Sequence, residues 1–144
     1  MNDCPFCGIV ARSVEASVVY EDDEAIAFMD IQPVNPGHVL VAPKRHVSSV
    51  RDVDEQLGGR LFKLAMRMEA AIRSSGVRCE GTNMLVADGE AAFQDVFHFH
   101  LHVFPRFQGD PFKVDADWKE APRGELDRVA ADIRAAYEAR WGGT

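Results

Sequence analysis

The run His98-Phe99-His100-Leu101-His102 constrains the fold more than any other part of the chain. Successive side chains of a β-strand point to opposite faces, with about 3.3 Å of rise per residue. Read as a strand, the run puts His98, His100 and His102 on one face. Phe97, Phe99, Leu101 and Val103 then point the other way, into a core. All five histidines of the chain lie in this strand or in the earlier segment Gly37–His46. Imidazole titrates near neutral pH and serves as base, acid, nucleophile or metal ligand. Each buried imidazole needs partners for its polar nitrogens, so three in alternation read as a reaction centre or a metal site. The outer pair is roughly 13 Å apart along a strand. One ion can therefore take two adjacent members and leaves at least one histidine for another task.

The 144 residues are read as one domain, 1–144, long enough for a real core. Hydrophobic residues at 47% and charged residues at 27% exclude disorder. No apolar run approaches a membrane span, and the N-terminus lacks a basic-then-apolar signal pattern, so a cytoplasmic protein is expected. A net charge of −7 argues against nucleic-acid binding. A small phosphorylated ligand stays compatible with that charge, because local donors outweigh the global field. Lys44 and Arg45 beside His46, and Arg106 after the histidine strand, are such donors. Two of the three cysteines form Cys4-Pro5-Phe6-Cys7, which fits metal binding in a reducing compartment better than a disulfide.

Apolar and β-branched runs bounded by turn residues predict strands near Ser17–Tyr20, Ala25–Asp30, His38–Ala42, Asn83–Ala87 and Phe97–Phe104. Leu57, Leu61, Leu64, Met68 and Ile72 recur at helical spacing from Asp54 to about Arg73, ended by Gly76. A second amphipathic helix, about 124–141, carries Leu126, Val129, Ile133 and Tyr137, with Gly142-Gly143 as its stop. Phe107–Pro122 has no period and is read as loop. The result is an α+β fold around an antiparallel sheet of about five strands with two main helices.

His98-Phe-His-Leu-His102-Val103-Phe104 resembles the signature of the histidine-triad (HIT) nucleotide hydrolases and transferases. Phe28-Met-Asp-Ile31 and Pro36-Gly-His-Val-Leu-Val-Ala-Pro-Lys-Arg-His46 resemble that family's N-terminal half-site. Asp88-Gly89, Gln94 and Pro105-Arg106 fall at similar spacings around the triad. The likeness covers about residues 4–110, and Ala87-Asp88-Gly89 with Pro105-Arg106 is closest to the diadenosine-polyphosphate hydrolases.

The resemblance implies that His100 attacks the α-phosphate of a nucleotide and forms a covalent nucleotidyl-histidine that water or another acceptor resolves. It implies a His98 carbonyl holding the His100 ring, with His102 on the phosphate or leaving group. His38 stands in the same cluster, and Gln94 and Asn83 orient the phosphate. Asp30 takes the ribose position, where a carboxylate accepts from two vicinal hydroxyls. Phe6, Ile9, Met29 and Ile31 line the base pocket. Cys4, Cys7, His46 and His98 are the implied ligands of a structural zinc, a closed tetrahedral set; no catalytic metal is expected. A nucleotide substrate and a homodimer are implied, with a nucleotidyltransferase or a weakly active nucleotide-binding module as alternatives. Where the family reads Gly-Gln-Ser or Gly-Gln-Thr, this chain has Phe93-Gln94-Asp95. Phe93 lacks the small residue's close approach to phosphate, and Asp95 would repel a phosphate if ionised and close. Cys79 lies outside the pattern, as a plain buried or half-buried residue.

Overall fold

A computed structural model describes residues 3–143. Contacts divide the chain into two compact units, Met1–Phe112 and Lys113–Thr144. In the first, β1 (Val18–Glu21), β2 (Ala25–Met29), β3 (Val39–Pro43), β4 (Gly81–Leu85) and β5 (Leu101–Arg106) form one antiparallel sheet. The strand order is β1-β2-β3-β5-β4.

Period-two alternation in β2 and β3 serves two cores. Ala25, Ala27, Val39 and Val41 pack with Leu101 and Val103 against Leu57, Leu61, Leu64, Met68 and Ile72 of α2 (Glu55–Ser74). Ile26, Phe28, Leu40 and Ala42 face Phe6 and Ile9 of α1 (Pro5–Val10) on the other side. With both faces covered, β2 and β3 read as continuous apolar runs. Asp54 caps α2 by accepting from the Leu57 amide at 2.8 Å, and Gly76 beyond its end takes φ +85°, a conformation that favours glycine.

The histidine strand starts later than the spacing predicts, at Leu101 instead of Phe97. The β3–β5 ladder runs through Val41↔Leu101, and two residues on β3 ends at Pro43, which has no N–H to continue it. The Phe99 amide donates to the Val47 carbonyl at 2.6 Å instead. Alternation nevertheless persists through His98, with Phe99 in the α2-side core and His98 and His100 buried opposite. Phe97 departs from the expectation: it is exposed, because it precedes the point where the chain joins the sheet.

In the second unit, α3 (Arg123–Trp141) follows an irregular segment, as its spacing predicts, and it buries none of its residues. No helix among the described residues is long and apolar enough to cross a membrane.

Candidate functional site

Cys4 is the N-cap of α1 and Pro5 opens the helix, where a missing N–H costs nothing. One turn then brings Cys7 beside Cys4, whose sulfur accepts from the Cys7 amide. The Cys4 sulfur lies 3.5 Å from His98 Nδ1, and the Cys7 sulfur lies 3.3 Å from His46 Nδ1 and 3.7 Å from His98 Nδ1. The four ligand atoms all fall within 4.8 Å of one another. Bond lengths of about 2.3 Å to sulfur and 2.0–2.1 Å to nitrogen give tetrahedral S···N edges of about 3.6 Å, close to those seen. His98 Nε2–H donates to the Pro43 carbonyl at 2.7 Å, so this tautomer, assigned from the hydrogen bond, leaves Nδ1 with a lone pair aimed at the sulfurs. Burial and the neighbouring Cys4 raise the Cys7 thiol pKa.

His100 Nδ1–H donates to the His98 carbonyl at 2.7 Å, which frees its Nε2 lone pair. Phe6 meets the His100 ring edge-on at 5.0 Å. Beside it, a chain of tautomers runs back to the main chain. The Val34 amide donates to His38 Nδ1 at 3.0 Å, so the His38 proton sits on Nε2. His38 Nε2–H donates to His102 Nδ1 at 2.9 Å, so His102 carries its own proton on Nε2. Asp30 Oδ2 lies 3.5 Å from His38 Nε2, and Asp30 Oδ1 accepts from the Gln32 amide. Burial lowers the His38 pKa, with Asp30 opposing and His100 adding to the effect. Burial, with His100 and His38 nearby, lowers His102 to about 4, so both rings are neutral at pH 7. Asp30, His38 and His102 also form a group of metal-capable atoms. Their tautomers oppose that use, because His38 Nε2 keeps its proton while Val34 occupies Nδ1.

A cleft of about 210 Å³ joins these groups. Phe6, Ile9, Met29 and Ile31 line it with Asp30, Asp95, His100 and His102. Phe28, Leu40, Val14 and Val96 complete its apolar wall and went unread in the sequence, where they look like ordinary core. Asp95 Oδ1 accepts from the Val96 amide at 2.8 Å, and the carboxylate's charge opposes the fall in the His102 pKa.

Three expectations move elsewhere. Gln94 is buried, with Oε1 accepting from the Gly89 amide and Nε2 donating to the Ser48 and Val96 carbonyls. Its carboxamide ties two loops and has no hydrogen left for a phosphate. Asn83 lies outside the cleft: Oδ1 accepts from Arg106 Nη1 at 2.8 Å, because Arg106 needs that partner beside its two-pronged bond to Asp110. The cations expected near a phosphate are engaged with acids: Lys44 with Glu21, Arg45 with Asp54, Arg106 with Asp110. Among the described residues the cleft lining contains no Lys or Arg. Half-buried Cys79 donates to the Gly81 carbonyl and packs against the α2-side core.

Residues 11–109 match the HIT domain family. The chain is 40% identical over 119 residues to Protein hit of Bacillus subtilis, covering 82% of this chain and 80% of that one. A crystal structure of a HIT family protein from the same organism aligns with a TM-score of 0.82 and 36% identity, over 92% of this chain and 96% of that chain. A zinc-bound histidine triad family protein from Mycobacterium smegmatis aligns with a TM-score of 0.73 and 35% identity, over 94% and 98%.

Proposed function

The chain belongs to the HIT domain family, and from that premise we propose that it hydrolyses a nucleoside polyphosphate at the α-phosphate through a nucleotidyl-His100 intermediate. The observation that carries this is the 2.7 Å bond from His100 Nδ1–H to the His98 carbonyl, which anchors the ring through Nδ1 and leaves Nε2 as the nitrogen available to attack. His100 Nε2 forms a bond to the α-phosphorus, and the bond to the bridging oxygen breaks, its electron pair leaving with the departing phosphate. Water then attacks the same phosphorus and the P–N bond breaks, returning the pair to Nε2. The products are a nucleoside monophosphate, the departing phosphate half of the substrate and a proton released to solvent.

His102 supports an anhydride over a phosphoramidate. A neutral ring with Nε2–H is a hydrogen-bond donor to a leaving oxygen, and a polyphosphate departs as an anion without a transferred proton. An amine needs that proton. A diadenosine polyphosphate is therefore the favoured substrate. The apolar wall of Phe6, Ile9, Met29 and Ile31 receives the base, and Asp30 receives the ribose. Asp30→Ala should weaken ribonucleotides by roughly 1.5–3 kcal/mol relative to 2′,3′-dideoxy analogues. Equal loss on both would remove Asp30 from the ribose.

Cys4, Cys7, His46 and His98 hold a structural zinc in this reading, supported by the donor set, the S···N spacing and the zinc-bound relative. When bound, the ion ties α1 to the segment after β3 and to the triad, with no part in the reaction. We place the protein in the cytoplasm, as a homodimer, which sedimentation of the full chain tests.

The deciding experiment incubates the protein with diadenosine polyphosphates and nucleoside phosphoramidates and follows products and protein mass. A monophosphate product with a transient nucleotidyl adduct supports the reading. Products carrying added orthophosphate would make the chain a transferase, and the absence of turnover and adduct would leave a binding module.

A further inference from the structure

Phe93 stands where glycine or asparagine would cost less. It closes the short 3₁₀ turn Glu90–Ala92 at φ 65°, ψ 26°, the left-handed region that glycine adopts freely and a bulky side chain does not. Its amide donates to the Glu90 carbonyl at 3.0 Å and the next amide, Gln94, reaches back to the Gly89 carbonyl at 3.1 Å, a pair of bonds that requires a left-handed residue at Phe93. The ring is 91% exposed, so no core contact compensates for either the strain or the wetted surface.

The turn is nevertheless held firmly. The neighbouring Gln94 carboxamide bonds the Gly89 amide and the Ser48 and Val96 carbonyls. Two residues beyond Phe93, Asp95 lines the nucleotide cleft close enough for its charge to act on His102. Phe93 therefore sits on a hydrogen-bonded turn two residues before Asp95, which shares the cleft wall with His100 and His102. A strained, solvent-exposed residue on a fixed frame at a reaction centre marks a contact with substrate.

We propose that Phe93 is the stacking platform for the base of the leaving half of a dinucleoside polyphosphate, and so sets the preference for a leaving group that carries a second base. The inference rests on the hydrolase reading and adds the half of the substrate that the cleft does not enclose. One phenylalanine offers about 150–250 Å², enough for a base and far below the ~800 Å² per side of a stable protein interface. Ring-on-base stacking tolerates every base, so Phe93 selects for a base and not for its identity.

The test compares wild type, Phe93→Gly and Phe93→Trp on diadenosine tetraphosphate and on adenosine tetraphosphate, which lacks only the second nucleoside. The readout is the ratio of kcat/KM on the two. In Phe93→Gly that ratio should fall about tenfold, while Phe93→Trp keeps it. Glycine suits the left-handed turn, so the melting temperature of Phe93→Gly should hold or rise, which separates contact from folding. An unchanged ratio, or equal losses on both substrates, overturns the proposal. If wild type turns over neither compound, the hydrolase reading fails by itself. Equilibrium binding of the same two ligands to wild type and Phe93→Gly then decides Phe93, with an unchanged affinity ratio against it.

Discussion

Two clusters among the described residues gather histidine with sulfur or carboxylate, each with its ligand atoms within 4.8 Å of one another, and their hydrogen bonds suit them to different tasks. In Cys4, Cys7, His46 and His98, the His98 ring gives its Nε2 proton to the Pro43 carbonyl, so the nitrogen facing the sulfurs is unprotonated. In Asp30, His38 and His102, a main-chain amide at Val34 donates to His38 Nδ1, so the nitrogen facing the cluster keeps its proton. The first cluster meets a carbonyl, which leaves lone pairs suited to a metal. The second meets an N–H and becomes a chain of donors ending at His102. Proximity of ligand atoms is shared; the backbone group behind each ring decides the chemistry. His98 links the first cluster to His100, because its Nδ1 faces the cysteines while its carbonyl holds the His100 ring.

The largest effect expected is the loss of His100. His100→Ala should lower kcat about a thousandfold, equivalent to roughly 4 kcal/mol of barrier. Retention of more than a tenth of wild-type turnover at saturating substrate would move the nucleophile elsewhere. The same variant should keep its metal content, since His100 is not one of the four ligands, while losing some stability with its packing on Phe6 and its bond to the His98 carbonyl.

Metal removal should do the reverse. Purified protein should carry about one zinc per chain, lost in Cys7→Ser and unaffected in His38→Asn. Loss of the ion should cost several kcal/mol of stability first, and activity only through His98. A metal content of two per chain, or one that survives Cys7→Ser, would assign the ion to the donor chain and break the contrast.

Acid should act mainly on the donor chain. An unfolded histidine takes up its proton near pH 6.5, whereas His102 in the folded protein stays neutral down to about 4. Between those values the unfolded state binds more protons, so stability is complete above pH 6.5 and declines as pH falls toward 4. The contribution is about 3 kcal/mol. Denaturant titrations from pH 7.5 to 4 on chelated protein, with His102→Asn alongside, isolate it. A variant slope equal to that of wild type would mean that His102 is not the buried neutral ring.

What the sequence disclosed follows from which features have a period or a spacing. His98, His100 and His102 sort to one side because alternation survives even where hydrogen bonding to β3 stops at Pro43. Leu57 through Ile72 repeat over about four turns, so α2 is plain. The spacing of Cys4 and Cys7 points to a metal pair, and the resemblance adds His46 and His98 to it. α1 is too short for a period, and Pro5 at its first position was the one available signal. The resemblance implies Gln94 and Asn83 as phosphate ligands, and a carboxamide has no sequence signature separating a loop tie from a ligand contact. The Val34 amide, which sets the tautomers of two histidines, is a backbone group and is invisible in any sequence.

Asp95 offers the smallest and sharpest test, because it adds charge to the donor chain without joining it. One carboxylate oxygen accepts from the Val96 amide, and the group lines a cleft that holds Asp30 and no Lys or Arg among the described residues. Its charge supports protonation of His102 and opposes an incoming polyphosphate; these effects pull in opposite directions. Repulsion should win for a multiply charged ligand, since His102 already stays neutral at pH 7. Asp95→Ser should therefore raise kcat/KM on a diadenosine polyphosphate by two- to fivefold, about 0.4–1 kcal/mol. The gain should be smaller on a singly charged phosphoramidate and should shrink with added salt. Zinc content should not change, because Asp95 touches none of the four ligands. A loss of activity on both substrates would instead make Asp95 part of the reaction, holding the water that resolves nucleotidyl-His100. The donor chain would then end at two groups, His102 and Asp95, with the carboxylate taking the proton that water releases.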